Sequence, residues 1–268
     1  MKTVRLLDNL EGIKAAAEIL KSDGIVAMPT ETVYGLAASA YSNKAISKVF
    51  AAKGRPQDNP LIVHISDMDM LREVVSEFSS AAKALAEKFW PGPLTMVLPK
   101  GEKVCDSVSR GLSTVAVRLP ENEVARELIR ASGLPLAAPS ANLSGKPSPT
   151  SASHVIDDMM GKVDMIIDGG DCDFGLESTI VKIESDGTLT LLRPGKITVD
   201  ELLELTPEVA IAEAVIAELK DGERALSPGM KYKHYAPKTT VFLVEGENFA
   251  DYVNNLKNSA AICFKEES

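Results

Sequence analysis

Short apolar runs alternate with helical patterns through the first half of the chain, and this alternation constrains the fold more than any other feature. Residues 24–29 form an apolar run that predicts a buried strand, and residues 61–65 predict another. Between them, Ser42 caps a helical pattern that Gly54 ends. Strands that alternate with helices favour an α/β protein in which helices pack against a sheet.

The alternation continues beyond this point. Helices are predicted at 67–79, 81–89, 122–132 and 198–220, and strands at 95–98, 114–119, 134–138, 165–168, 178–183 and 188–192. The last two strands are separated by Ser185-Asp186-Gly187, a hairpin signal. A hairpin makes its two strands antiparallel, so we expect a mixed sheet rather than a wholly parallel one.

The overall charge and the cysteines limit the classes of function. With 29 basic and 38 acidic residues the net charge is −9, which opposes tight nonspecific binding of nucleic acid and requires any anion site to be local. Cys105, Cys172 and Cys263 are far apart and form no C-x-x-C pair, so we expect reduced thiols in the cytoplasm. We expect no membrane span, because no apolar run approaches the roughly 18 residues that one needs.

Several common nucleotide and hydrolase motifs are absent from the sequence. It has no Walker A loop, no G-x-G-x-x-G after a strand, no G-x-S-x-G elbow and no H-E-x-x-H. A bound nucleotide would therefore have its phosphates held by side chains and loop amides outside those frameworks.

Lys53, Arg55 and Asn59 place two cations and an amide directly before a predicted strand. Arg can grip phosphate oxygens through two parallel hydrogen bonds, while Lys supplies a point charge. This pattern is typical of a phosphate site. The alternative is a solvated basic helix end, stabilised by the helix dipole.

The loop at 139–150 is rich in small hydroxyl and amide residues and follows an apolar strand. Such a loop can offer hydroxyls and main-chain N–H groups to a polar ligand, with Ser140 and Asn142 favoured because they are closest to the strand. The alternative is a surface turn in which residues 148–150 cap the next helix.

Arg118 stands in an apolar run, where an uncompensated charge would be costly, so it requires an anionic partner. That partner could be an internal carboxylate or a ligand. His64, by itself, is typical of a hydrogen-bonded core histidine. His154 and Cys172 are interpreted as structural.

Six blocks of this sequence, in their order, resemble the YrdC-like L-threonylcarbamoyladenylate synthases. The blocks are Pro29-Thr30-Glu31-Thr32-Val33-Tyr34-Gly35-Leu36, Lys53-Gly54-Arg55, Asn59-Pro60-Leu61, Ser140-Ala141-Asn142, Glu177-Ser178-Thr179 and Arg193-Pro194-Gly195. The stretch 227–237, Ser-Pro-Gly-Met-Lys-Tyr-Lys-His-Tyr-Ala-Pro, is similar to the linker of the family's long form.

The resemblance implies the domain organisation. It assigns 1–205 to an open, twisted mixed α/β sheet flanked by helices, 206–237 to a helix and linker, and 238–268 to the start of a small Rossmann-like C-terminal domain. The single β-α-β unit predicted after Pro237 is shorter than the family's second domain, so we expect that domain to be incomplete.

The resemblance also implies the site residues. The threonine-binding residues would be Thr32, His64, Arg118, Ser140 and Ser178. The ATP-binding residues would be Arg55, Asn59, Thr114, Asn142, Thr150 and Arg193, with His234 and Tyr235 reaching in from the linker. Lys53 and Arg55 would be the catalytic residues.

In this family L-threonine, bicarbonate or CO2, and ATP with Mg²⁺ would give threonylcarbamoyl-AMP and pyrophosphate. The product would pass to the tRNA-modification machinery that forms N6-threonylcarbamoyladenosine beside the anticodon of tRNAs reading codons that begin with A. Two alternatives stay open: an RNA-binding module, which the net charge of −9 opposes, and a transferase that handles carbamoyl-adenylate, whose relatives carry zinc-finger and acylphosphatase-like regions not found here.

Overall fold

The computed structural model describes residues 3–7, 9–54, 59–216 and 255, and the structural statements below concern these residues. The chain divides into two units, Met1–Tyr235 and Ala236–Ser268. Apart from Asn255, the second unit lies outside the described residues, and so does the predicted β-α-β ending. The fold below is therefore that of the first unit.

The described residues form eleven strands and nine helices. The strands are β1 Val4–Leu7, β2 Val26–Met28, β3 Gly35–Ser39, β4 Ile62–His64, β5 Leu94–Pro99, β6 Thr114–Arg118, β7 Leu136–Ala137, β8 Met165–Asp168, β9 Thr179–Ile183, β10 Leu189–Arg193 and β11 Val209–Ile211. The helices are α1 Leu10–Lys21, α2 Asn43–Lys53, α3 Met68–Val74, α4 Ser80–Phe89, α5 Asp106–Ser109, α6 Glu123–Ser132, α7 Ala152–Met159, α8 Val199–Leu203 and α9 Glu213–Ile216. Within the described part of the chain, no helix has the length and apolar character that crossing a bilayer requires.

The strands join into one open sheet in the order β1-β8-β2-β3-β7-β4-β6-β5-β9-β10-β11. β4 and β6 are parallel, and β7 runs antiparallel to β4. β9 and β10 pair antiparallel, as the hairpin signal predicts. The prediction of a mixed α/β sheet flanked by helices is confirmed.

Helix α2 shows how the local sequence sets an element. The Ser42 side chain accepts a hydrogen bond from the main-chain N–H of Ala45, which caps the first turn. Gly54 ends the helix at φ 60°, a left-handed conformation that glycine adopts without a steric penalty. Lys53 is therefore the last residue of a helix, and it points into the protein with 3% of its surface exposed.

The two faces of the sheet are covered differently. One face packs along its length against α2, α4 and other helices in the largest core cluster. On the opposite face, α1 and α6 pack against β8, β2, β3 and β7. The rest of that face, formed by β4, β6, β5, β9 and β10, carries a separate cluster of Ile62, Val97, Ala116, Ile180 and Leu192. We call this half the β4–β10 face.

Small residues, rather than a long helix, pack on the β4–β10 face in the described part of the chain. Ala212 and Ala214, which follow β11, contact its apolar cluster. The prediction of one helix over 198–220 is wrong for residues 198–216, where α8, β11 and α9 take its place. Pro207 explains the break, because it lacks an N–H and excludes the residue before it from helical geometry.

Candidate functional site

The segment between β2 and β3 forms an ordered turn around Thr30. The Thr30 hydroxyl accepts hydrogen bonds from the main-chain N–H groups of Thr32 and Val33, each at 3.2 Å, and donates to the Val33 carbonyl at 2.6 Å. Such side-chain bonds to the local backbone fix a turn. The Thr32 hydroxyl, 2.9 Å from that of Thr30, is thereby held in one position.

Arg118 is at the end of β6 and contacts three partners among the described residues. Its Nε donates to the Gly92 carbonyl at 3.3 Å, and its Nη1 donates to the Thr32 hydroxyl at 2.9 Å. Its Nη2 lies 2.6 Å from Oε1 of Glu31, with the two side chains 4% and 1% exposed. The anionic partner that the sequence requires for Arg118 is therefore Glu31.

Glu31 was not among the residues predicted for the site. Burial is the largest effect and by itself would raise the pKa of its carboxyl, but the charge and hydrogen bond of Arg118, together with main-chain hydrogen bonds, leave that pKa below its ordinary value. Oε2 accepts a hydrogen bond from the Asn122 N–H at 3.4 Å. Its position beside Thr32, together with the unmatched charge of Arg118, was the available signal in the sequence.

His64 is the register partner of Arg118 across β4 and β6. Burial, and then the nearby charge of Arg118, lowers the pKa of His64 to about 3, so its imidazole is neutral at physiological pH. Nδ1 is buried without a hydrogen-bond partner among the described residues. His64 is therefore available as an uncharged hydrogen-bonding group.

Ser178, just before β9, is held from two sides. Its hydroxyl is 2.8 Å from that of Thr95 on β5. Arg193 donates to the Ser178 carbonyl through Nε at 3.1 Å and Nη2 at 2.8 Å, and Nη2 also reaches the hydroxyl at 3.0 Å. Thr95 was also not predicted from the sequence, although it is a fully buried polar residue in an apolar strand.

Lys53 anchors the loop that follows β7. Its ammonium group donates to the carbonyl of Ser140, to the carbonyl of Asn142 at 2.8 Å and to Oδ1 of Asn142 at 3.3 Å. Ser140 in turn donates its hydroxyl proton to the same Oδ1 at 2.5 Å. Lys53 thus orders the two residues that were predicted to contact threonine and ATP.

Tyr34 connects the segment between β2 and β3 to the loop after β7 and to the loop after β8. Its main-chain N–H donates to Pro149 at 2.8 Å, and its carbonyl accepts from Ala141 at 2.8 Å. Its hydroxyl donates to the Gly170 carbonyl at 2.7 Å and accepts from the Gly169 N–H at 3.1 Å. Burial is the main cause that raises the pKa of this phenol to about 12, so it stays a donor.

The remaining predicted ATP residues in the described part of the chain are Asn59, Thr114 and Thr150. The Asn59 side chain is 0% exposed and has no hydrogen-bond partner among the described residues. Thr114 begins β6. The Thr150 hydroxyl is 3.4 Å from Nδ1 of His154. The cap of α7 is Ser151, so the alternative in which residues 148–150 cap that helix is wrong.

Three predicted residues cannot be placed. Arg55, His234 and Tyr235 lie outside the described residues, so their contacts with ATP stay predictions.

Cys172, interpreted as structural, is half-buried, and burial is the main cause that raises its pKa to about 12. A thiol that stays protonated is a poor nucleophile.

The strand register separates the predicted site residues into two groups. Ile62 pairs with Ala116, so Asn59 and Thr114 precede this pairing while His64 and Arg118 follow it. Ala138 donates to the Ile62 carbonyl, so the antiparallel β7 leads toward Asn59. Ser140, which is predicted to bind threonine, therefore lies at the same end of the sheet as the predicted ATP residues Asn59 and Thr114. With a rise of about 3.3 Å per residue, Thr114 and Arg118 are roughly 13 Å apart along β6.

The fold and this arrangement define a class of protein: an α/β protein that presents buried cations, hydroxyls and a neutral histidine on one half of an open sheet. The chain belongs to the family described as telomere recombination, the Sua5, YciO and YrdC proteins, whose model matches residues 18–195. A second model, the C-terminal domain of threonylcarbamoyl-AMP synthase, matches residues 197–267. The predicted family is confirmed.

Relatives with the same architecture are named for one reaction. The threonylcarbamoyl-AMP synthase of Pyrococcus abyssi is 48% identical over 255 residues, which cover 95% of this chain and 74% of that protein. That of Bacillus subtilis is 46% identical over 245 residues, covering 91% and 70%. The crystal structure of P. abyssi Sua5 complexed with L-threonine superposes with a TM-score of 0.86 at 46% identity, covering 94% of this chain and 74% of that one.

Proposed function

We propose that this chain synthesises L-threonylcarbamoyladenylate from L-threonine, bicarbonate or CO2, and ATP, with release of pyrophosphate. The observation that carries the proposal is the cluster of Thr32, His64 and Arg118 on the β4–β10 face, in a chain 48% identical to a named threonylcarbamoyl-AMP synthase. The reaction needs one pocket for a small amino acid and one for a nucleotide, side by side.

The proposed threonine pocket consists of Thr32, His64, Arg118, Ser140 and Ser178. Arg118 supplies the positive charge for the amino acid's carboxylate, and neutral His64 and the hydroxyls supply hydrogen bonds. Since Thr32 and Ser178 are each fixed by neighbouring hydroxyls, the pocket is largely preorganised.

The proposed ATP pocket lies toward the beginning of β4 and β6. It consists of Asn59, Thr114, Asn142, Thr150 and Arg193, and of Arg55, His234 and Tyr235 from outside the described residues. Lys53 acts there by holding Asn142 and by placing a buried positive charge near the phosphates. This is a positioning and electrostatic role, because its ammonium donates to oxygens of the protein.

The chemistry requires no enzyme nucleophile. The ammonium group of threonine loses one proton to water, and the free amine adds to CO2 and loses a second proton to water to form a carbamate. One carbamate oxygen then attacks the α-phosphorus of ATP, and the bond from that phosphorus to the bridging oxygen of pyrophosphate breaks. The protein contributes by orienting the two substrates and by stabilising the charge that shifts to the pyrophosphate. Arg55 and Arg193 are the residues proposed for that stabilisation.

Mg²⁺ is proposed to enter with ATP. Within the described ranges, no three His, Cys, Asp or Glu side chains come together as a metal site. Mg²⁺ is commonly held by substrate phosphates, water and one or two carboxylates, so a cage made by the protein is not required.

The wider setting of the reaction is also proposed. The labile product passes to the machinery that modifies tRNA beside the anticodon. Within the stretch 206–237, residues 209–211 belong to the sheet as β11, and the rest of the stretch is proposed to link the catalytic domain to the C-terminal one. Cys105 and Cys172 are free thiols, which fits the proposed cytoplasmic location.

Pyrophosphate release from ATP and bicarbonate, measured with the full chain and with each amino acid in turn, tests the proposal. We expect release that depends on threonine, with threonylcarbamoyl-AMP detected by mass spectrometry. Serine is the matched control, because it lacks only the γ-methyl group. A folded protein that releases no pyrophosphate with threonine contradicts the function, and a salt-sensitive affinity for RNA without turnover favours the RNA-binding alternative.

A further inference from the structure

Glu31 and Arg118 are in close contact, yet both side chains have hydrogen-bonding positions that no other described residue fills. Oε1 of Glu31 and Nη2 of Arg118 form a buried ion pair at 2.6 Å. Neither atom has a further hydrogen-bond partner among the described residues. A carboxylate oxygen can accept two hydrogen bonds and Nη2 carries two N–H groups, so each atom keeps the capacity for one more hydrogen bond, to a ligand.

The charges of the two groups match those of an amino acid. Free threonine is a zwitterion at neutral pH, with a carboxylate and an ammonium group. In a buried pocket each of these charges needs a partner of opposite sign. Arg118 is the partner for the carboxylate, and Glu31 is the carboxylate that directly contacts Arg118. His64 does not supply charge, since burial keeps it neutral.

We propose that Glu31 is a specificity-determining residue whose Oε1 accepts a hydrogen bond from the amino group of threonine while Arg118 binds its carboxylate. This inference rests on the proposed function and adds a partner for the amine. Threonine then binds alongside the ion pair of Glu31 and Arg118, and the two side chains and the two ends of the amino acid form a network of four alternating charges. The pocket stays neutral overall, so binding leaves no buried charge uncompensated.

The same contact serves the amine after it has reacted. Once the amine becomes a carbamate, its nitrogen retains one N–H, which Glu31 can still accept. Because its pKa lies below the ordinary value, Glu31 remains an anionic acceptor at the pH of the cell. It therefore orients the nitrogen, and the two protons that the ammonium group loses on becoming a carbamate pass to water.

Calorimetric binding of two ligands to the full chain distinguishes this role from a purely structural one. L-Threonine is compared with 3-hydroxybutanoate, which keeps the carboxylate and the hydroxyl but lacks the amine. For Glu31→Gln we expect threonine affinity to fall at least tenfold, while 3-hydroxybutanoate binds as tightly as before or more tightly because a negative charge is gone. Glu73→Gln is the matched control, since Glu73 is a half-exposed carboxylate that pairs with Lys103.

Each of the other possible results contradicts the inference, and each has a different meaning. Equal losses for both ligands mean that Glu31 only holds Arg118, and unchanged threonine affinity removes it from the pocket. If the wild-type chain does not bind threonine, the proposed function fails as well. Should Glu31→Gln not fold, Glu31→Asp gives the same comparison: its shorter carboxylate is expected to weaken threonine but not 3-hydroxybutanoate.

Discussion

Arg193 on β10 donates two hydrogen bonds to the main-chain carbonyl of Ser178 and a third to its hydroxyl. Arg193 is proposed to bind ATP and Ser178 to bind threonine. The two substrates would therefore share one rigid connection across β9 and β10, and a change in the guanidinium would affect both.

Arg193→Lys tests this connection. Lysine keeps the charge but lacks the planar fork that contacts Ser178 at two atoms. We expect threonine affinity to fall by roughly tenfold or more, since hydrogen bonds to charged groups contribute about 1.5–3 kcal/mol. Calorimetric titration with threonine measures the effect. Arg72→Lys, at an exposed arginine on α3, is the control, and equal behaviour of the two variants would refute the connection.

Lys53→Met is expected to damage both stability and turnover. It leaves oxygens of Ser140 and Asn142 without their donor, which we expect to cost about 2–4 kcal/mol. Urea unfolding followed by the fluorescence of Trp90, the single tryptophan, measures stability. Lys48→Met on the same helix is the control, because Lys48 donates to the Asp23 carbonyl at an exposed site. Equal stability of the two variants would contradict the anchoring role.

Because His64 is neutral in the folded chain, we expect the free energy of unfolding to fall at acid pH. Its folded pKa of about 3 lies below the ordinary 6.5, so between these values the unfolded chain binds a proton that the folded chain does not. Stability contributed by neutral His64 is complete above pH 6.5 and falls as the pH drops toward 3. The slope approaches about 1.4 kcal/mol per pH unit.

His64→Gln removes this titration while Glu31 and other groups stay in place. Urea unfolding between about pH 7 and pH 4.5 is expected to show a shallower decline for the variant than for the wild type. Parallel declines would show that His64 is not kept neutral by folding.

Gly195→Ala is expected to disturb Ser178 directly. A Cβ at this position would lie 2.4 Å from the Glu177 carbonyl oxygen and 2.4 Å from the Thr179 nitrogen, so the backbone on both sides of Ser178 must move. Threonine-dependent turnover should fall strongly. Gly187→Ala is the control: it strains a turn at φ 86° with nothing within 4 Å, costing about 1–2 kcal/mol without loss of turnover. Equal turnover in both variants would contradict this account.

Elements with a strong periodic pattern could be predicted from the sequence. The strand predicted at 165–168 is observed as Met165–Asp168, and the helix predicted at 81–89 as Ser80–Phe89. β3, Gly35–Ser39, was not predicted, because Gly, Ala and Ser have low strand propensity and only pairing with β2 and β7 makes this segment a strand.

Only some of the site residues were predicted from the sequence. The sequence singles out Thr32 by the first block and Arg118 by its charge within an apolar run, and the structure places them in hydrogen-bond contact. Glu31 stands in the first block beside Thr32 but was not singled out, because only the fold shows which of the 38 acidic residues contacts Arg118. Thr95 was missed for the same reason: its contact with Ser178 joins residues 83 positions apart.

The burial of Lys53 bears on how ATP would approach its proposed site. The Lys53 ammonium is 3% exposed, so salt in the solvent screens it little, whereas the chain as a whole carries a net charge of −9 that repels a polyanion at a distance. Added salt screens the distant repulsion more than the buried attraction. The rate at which ATP encounters the enzyme should therefore rise with ionic strength, the reverse of electrostatically steered association.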